Sequence, residues 1–157
     1  LISYLFFSRM ELLRQQIATA RQSLFSEEIL DMSQFMQLER LEDKDSPNFV
    51  EQTLSLYFSD ATKSIAAIEQ ALMPSEVVLP DFKELDIQLH RLKGSTVSVG
   101  ANMVLKRVIK ALECCGKGDM EGCKAAVRIL KQDHNTLRNR LQTYFQLLQS
   151  QARFAET

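Results

Sequence analysis

The chain has no tryptophan and only three prolines and five glycines in 157 residues. So few turn-formers cannot supply the reversals of a many-stranded sandwich or barrel. Its three cysteines, Cys114, Cys115 and Cys123, cannot all pair within one chain and form no CxxC, so neither a disulfide framework nor a zinc site is expected. They read as reduced thiols, with Cys123 packed as a small apolar residue. No charge dominates: 19 Lys and Arg face 20 Asp and Glu, net −1, so no nucleic acid is expected as a partner. The apolar run Leu1-Ile2-Ser3-Tyr4-Leu5-Phe6-Phe7 is too short to span a bilayer and lacks the basic region and cleavage site of a signal peptide, so no membrane partner is expected. Met10 is a candidate natural start, with residues 1–9 as an upstream extension. A glycine-rich phosphate loop, a Walker lysine and a carboxylate cluster for a divalent ion are all missing from the sequence.

What is there suits one folded domain: 45% hydrophobic and 25% charged residues. The charge is uneven. Residues 1–80 carry 6 basic and 12 acidic side chains, and residues 81–157 carry 13 and 8. That dipole can orient an acidic partner without naming one.

Helical periodicity runs almost throughout. A first helix is expected over residues 10–24, with Leu13, Ile17 and Leu24 on one stripe, and a second from a Ser26 cap to about Leu41. Ser46-Pro47 reads as a helix start, and Val50, Leu54, Tyr57, Ala61, Ile65, Ile68 and Leu72 follow at spacings of three and four. Residues 74–80, between two prolines, read as a linker. A fourth helix begins near Asp81 with Phe82, Leu85, Leu89, Leu92, Thr96 and Val99 inward, and Gly100 bends or ends it. A fifth covers about Asn102 to Cys115 with Val104, Leu105, Val108, Ile109 and Leu112 inward. Asp119 caps a sixth, whose seam is Cys123, Val127, Leu130, His134, Leu137, Leu141, Tyr144 and Leu148. The expected fold is all-α: an antiparallel four-helix bundle with two additional N-terminal helices. Residues 1–24 form an extension and first helix, and residues 25–153 the helical domain, with the bundle core at about 47–150.

The two histidines differ in setting. His134 lies on the apolar seam between Leu130 and Leu137 and reads as a core residue. His90 is turned ~100° from the inward Leu89, toward solvent, with Asp86, Lys93, Gly94 and Val97 on its face. A mid-helix glycine costs about 1 kcal/mol relative to alanine. One use for that cost is letting a bulky partner reach the imidazole one turn away, where Lys93 can meet an anion. A mostly neutral imidazole is a nucleophile near pH 7. The spacing alone fits both phosphoryl acceptance and a solvated histidine beside a lysine.

The run from Leu89 through His90-Arg91-Leu92-Lys93-Gly94-Ser95-Thr96-Val97-Ser98-Val99-Gly100 to Ala101 resembles the signature of plant histidine-containing phosphotransfer (HPt) proteins, roughly H-Q-[LF]-K-G-S-S-S-S-I-G-A. Ser46-Pro47-Asn48-Phe49-Val50, Pro80-Asp81-Phe82 and Glu121-Gly122-Cys123 extend the likeness across about residues 25–150. The resemblance implies a phosphorelay carrier, of the kind used in cytokinin signalling, that is not itself an ATP-dependent kinase. His90 would be phosphorylated, Lys93 would assist the phosphoryl group and Gly94 would give clearance. It implies receiver domains of hybrid histidine kinases and response regulators as partners, no cofactor of its own with Mg²⁺ on the receiver, a monomer, and a cytoplasmic and nuclear location. Family variants without the histidine are inactive as carriers, and this chain retains it. It departs at Arg91, Thr96-Val97 and Val99; Arg91 adds a cation beside the nucleophile and Val97 an apolar group on its face.

Docking calls for an apolar patch with a polar rim. Ile29, Met32, Phe35 and Met36 are candidates for it, with Asp86, Arg91 and Val97 near the histidine; a buried cover helix explains the first four equally well. A helical adaptor without phosphotransfer accounts for the periodicity but not for Gly94 beside His90 and Lys93. A di-metal bundle needs Glu-x-x-His, and Ile87 and Lys131 stand where each Glu would be. Lys106-Arg107-Lys110 is the nearest approach to a DNA-recognition helix and reads as a solvated face.

Overall fold

The computed structural model describes residues 1–73 and 81–156. Six helices follow one another: α1 Ile2–Ser26, α2 Met32–Arg40, α3 Phe49–Ala71, α4 Phe82–Ser98, α5 Asn102–Gly116 and α6 Met120–Glu156. No strand occurs among the described residues. Helices α3 to α6 form the bundle, and α1 and α2 cover it. The expected linker at 74–80 lies outside the described residues.

Apolar spacing explains the bundle directly. Leu85, Leu89, Leu92 and Thr96 of α4 are buried, as are Leu54, Tyr57, Ala61, Ile65 and Ile68 of α3. The α6 seam is buried from Cys123 to Tyr144, with Leu148 packed at its edge. Each fully buried leucine contributes about 1.5–3 kcal/mol. Thr96 is the polar exception in α4, and its hydroxyl meets that of Tyr57 at 3.0 Å, so the α3–α4 seam carries a satisfied polar pair.

Three expectations about element limits and faces need correction. The first helix starts at Ile2 rather than 10 and runs through Ser26, which therefore caps nothing. The chain reverses at Glu28 (φ 59°), where the amides of Ile29 and Leu30 both donate to the Leu24 carbonyl. Asp31 then caps α2 by accepting from the Gln34 amide at 3.1 Å. Helix α3 starts at Phe49, not Ser46-Pro47, because the Asp43 carboxylate accepts from the Asp45 and Ser46 amides and holds Ser46 in a turn. In α5 the inward stripe is Val104, Val108, Ala111 and Cys115. Ile109, one position off it, is 38% exposed.

Gly100 ends α4 in a left-handed conformation, φ +71°. The Gly100 amide donates to Val97 and that of Ala101 to Thr96, which together close a Schellman turn. Helix α2 docks on this turn: the Asp31 amide donates to the Gly100 carbonyl at 2.8 Å and Gln34 Nε2 to the Ser98 carbonyl at 2.8 Å. A Cβ at Gly100 would lie 2.9 Å from the Gln34 Cβ. Strain and contact add, so Gly100→Ala is expected to destabilise by about 1–3 kcal/mol, read as a lower urea midpoint at unchanged slope.

The expectations for the cysteines and for the Lys106-Arg107-Lys110 face are met. The three cysteines are free and buried, and burial first, then the neighbouring thiols and Asp119, pushes the Cys123 thiol up to about 11. Lys106 pairs with Glu28 and Arg107 with Asp133, as a solvated face would. No helix among the described residues is long and apolar enough to cross a membrane.

Candidate functional site

Helix α4 is anchored at both ends, by Asp81 accepting from the Lys83 and Glu84 amides and by the turn at Gly100. Its leucine stripe faces inward, and the period of 3.6 then turns His90 outward. The His90 side chain is 57% exposed.

The ring is held, not loose. His90 Nδ1 lies 2.8 Å from the main-chain carbonyl of Asp86, one turn earlier, and 3.2 Å from Asp86 Oδ2. Both oxygens can only accept, so Nδ1 carries the proton and donates. In the neutral ring Nε2 is then an unprotonated lone pair. Among the described residues no side chain or main-chain group bonds that atom.

Lys93 and Gly94 follow one turn beyond. Lys93 is half-buried and makes no ion pair among the described residues. Gly94 is exposed, and a Cβ built there meets nothing within 4 Å. Nothing among the described residues requires that glycine, in contrast to Gly100 six residues later. Arg91 is exposed and forms no ion pair among the described residues, and Val97 is 49% exposed. Lys93, Gly94 and Val97 share the helix face of His90, and Arg91 stands about 100° round the helix from it.

The proposed docking residues divide. Ile29 is 3% exposed and Phe35 1%, so both belong to the core and neither can meet a partner. The reason is the reversal at Glu28, which turns Ile29 into the core, while Phe35 packs edge-on against Phe25 and Tyr144. Met32 remains outside at 51% and Met36 is half-buried. The bonds from Asp31 and Gln34 bring this end of α2 to the last turn of α4. Sequence reasoning passed over Ile87, 39% exposed and three residues before His90; its signal was an isoleucine off the leucine stripe.

His134 is a different histidine. It is 2% exposed, against the edges of Tyr57 and Phe58. Thr62 Oγ1 donates to the Phe58 carbonyl at 2.7 Å and therefore accepts from His134 Nε2 at 3.0 Å. Burial foremost, then the Arg138 charge, pushes its pKa down. It is a neutral core histidine, as its place on the seam predicted.

A groove of about 710 Å³ opens between α3 and α6, but no residue of α4 lines it. His90 stands on an exposed face of α4, which suits a docking protein better than a small substrate. Among the described residues no three His, Cys, Asp or Glu side chains are grouped to hold a metal ion.

The Hpt domain family matches residues 52–150. Histidine-containing phosphotransfer protein 4 of Arabidopsis thaliana is 43% identical over 116 residues, covering 74% of this chain and 89% of that protein. Pseudo histidine-containing phosphotransfer protein 5 of rice (Oryza sativa subsp. japonica) is 39% identical over 136 residues, 87% of each. A crystal structure of a histidine-containing phosphotransfer protein from Medicago truncatula superposes with a TM-score of 0.80 at 33% identity, covering 88% of this chain and 91% of that one. A fold of helices α3 to α6 presenting an outward histidine is that of a phosphotransfer module. The chain belongs to the histidine-containing phosphotransfer (HPt) family. Since one similar protein bears the word pseudo and another does not, overall likeness leaves the chemistry to the residues at the site.

Proposed function

We propose that this protein is a phosphorelay carrier in which His90 Nε2 takes a phosphoryl group from the aspartyl phosphate of one receiver domain and yields it to the aspartate of another. The observation that carries this is the exposed imidazole with Nδ1 engaged and Nε2 open. In-line attack forms the Nε2–P bond as the P–O bond to the receiver aspartate breaks, and the carboxylate leaves with the electron pair. Such a transfer needs positioning and charge neutralisation more than covalent help. The Lys93 ammonium would meet the phosphoryl oxygens and Gly94 would admit the receiver. The divalent cation, Mg²⁺, would sit on the receiver, and no resident cofactor is proposed. The partners are receiver domains of hybrid kinases and of response regulators. The carrier acts as a monomer, in cytoplasm and nucleus, without taking phosphate from ATP.

The test is incubation with a receiver domain carrying labelled aspartyl phosphate. Label that moves to this protein, is lost in acid and survives base supports the relay. No transfer leaves the adaptor reading. Label taken directly from ATP, with no receiver or kinase present, contradicts the carrier role.

Exposed apolar groups at Met32, Ile87 and Val97 fit a docking patch around the reactive ring. Met32→Glu places a charge there without touching the core. Receiver affinity is expected to fall roughly 10-fold while the far-UV spectrum stays the same. Unchanged affinity by titration calorimetry would remove Met32 from the interface.

A further inference from the structure

We propose that Asp86, expected from its position to touch the partner, instead acts through His90: its carboxylate holds the ring proton on Nδ1 and balances the charge that the ring gains in transfer. The proposal rests on the reading of His90 as phosphoryl acceptor. Two oxygens of one residue face the same ring nitrogen, the carbonyl at 2.8 Å and Oδ2 at 3.2 Å. The carbonyl alone would satisfy Nδ1–H, and the second oxygen adds a negative charge. That carboxylate has no other ion-pair partner among the described residues, so it is left to face the ring. The group facing Asp86 from α5 is the Cys115 thiol, which burial first and the Asp86 charge second keep protonated.

The chemistry explains why a charge belongs there. When Nε2 takes the phosphoryl group and the receiver carboxylate departs, the ring keeps its Nδ1 proton and becomes a phosphorylated imidazolium. When the phosphoryl group passes to the next receiver carboxylate, the P–N bond breaks, its electron pair returns to Nε2, and the ring is neutral again. No proton enters or leaves in either direction. The positive charge exists only during and after transfer, and the nearest fixed negative charge on α4 is Asp86. An aspartate oriented on an imidazole plays the corresponding part in hydrolase triads. Here the pair is half-exposed, so the effect is smaller.

The experiment compares the wild type, Asp86→Asn and Asp86→Ala at saturating labelled receiver, with receiver affinity measured separately and the imidazole ¹⁵N spectrum recorded on the unphosphorylated proteins. The wild-type spectrum is expected to show Nδ1 protonated and Nε2 bare, and Asp86→Ala, which keeps the main-chain carbonyl, to show a smaller preference for protonation at Nδ1. Both variants should slow single-turnover transfer onto His90 by about 3- to 10-fold, leave transfer from phosphorylated His90 to the next receiver as fast as wild type or faster, and keep receiver affinity within about twofold of wild type. Weakened affinity with an unchanged saturating rate would make Asp86 a docking contact and overturn the proposal. A wild-type ring protonated mainly on Nε2 would overturn it as well. If the wild type takes no phosphoryl group at all, the acceptor reading fails, and the nitrogen spectra still decide whether Asp86 holds the ring.

Discussion

His90→Gln is expected to take up no label from a phosphorylated receiver, a loss of at least about a thousandfold, while its helicity and melting temperature stay close to wild type. The side chain it replaces is more than half exposed and contributes nothing to the core, so the fold has no reason to respond. The amide is polar and of similar reach, so receiver docking should survive, but it offers no nucleophilic nitrogen. The remaining histidine cannot stand in. His134 is sealed between Tyr57 and Phe58, with Nε2 donating to Thr62. Phosphohistidine persisting in the variant, located by peptide mapping, would place the acceptor elsewhere and dismantle the assignment. Retained binding without transfer is the outcome that separates chemistry from adhesion, because a pure adaptor would be indifferent to this change.

The bundle could be read from spacing because burial enforces it. Each inward position of α4 and α6 answers to a 3.6-residue period, and a polar residue that breaks the stripe, such as Thr96 or His134, is paired within the core. His90 could be read by the same arithmetic, as the residue one step off the stripe. The α1–α2 junction could not. Ser26 and Asp31 are both good caps, and the choice between them was made by tertiary bonds: the Asp31 amide to the Gly100 carbonyl and Gln34 to the Ser98 carbonyl, nearly seventy residues away in sequence for the former. That junction decided which apolar residues of the second helix face out, so Ile29 and Phe35 were misplaced with it while Met32 was not. The role of Asp86 was hidden for another reason. Spacing places Asp86 and His90 on one face, but only the folded structure shows two oxygens converging on one nitrogen.

Two glycines of one signature should respond to substitution with opposite signs, and Gly94 carries the larger functional consequence. Adding a Cβ at Gly94 meets no atom, so Gly94→Ala should raise stability by about 0.5–1 kcal/mol, a rise in melting temperature of about 1–4 °C. Gly94→Leu should stabilise comparably, since leucine is also a strong helix former. Long helical side chains lean toward the N-terminus and cover the preceding turn, which here is the turn that bears His90. The leucine would therefore stand where the incoming phosphoryl donor must approach. Displacing reacting atoms by about 1 Å can cost 10²-fold, so transfer to Gly94→Leu should fall by roughly that factor and to Gly94→Ala by less. A more stable protein that relays worse is what a glycine kept for a partner's sake predicts. Paired melting curves and single-turnover transfer on the two variants check it. Transfer at the wild-type rate through the leucine variant would mean that the receiver reaches Nε2 from another side, and Gly94 would then have no part in the reaction.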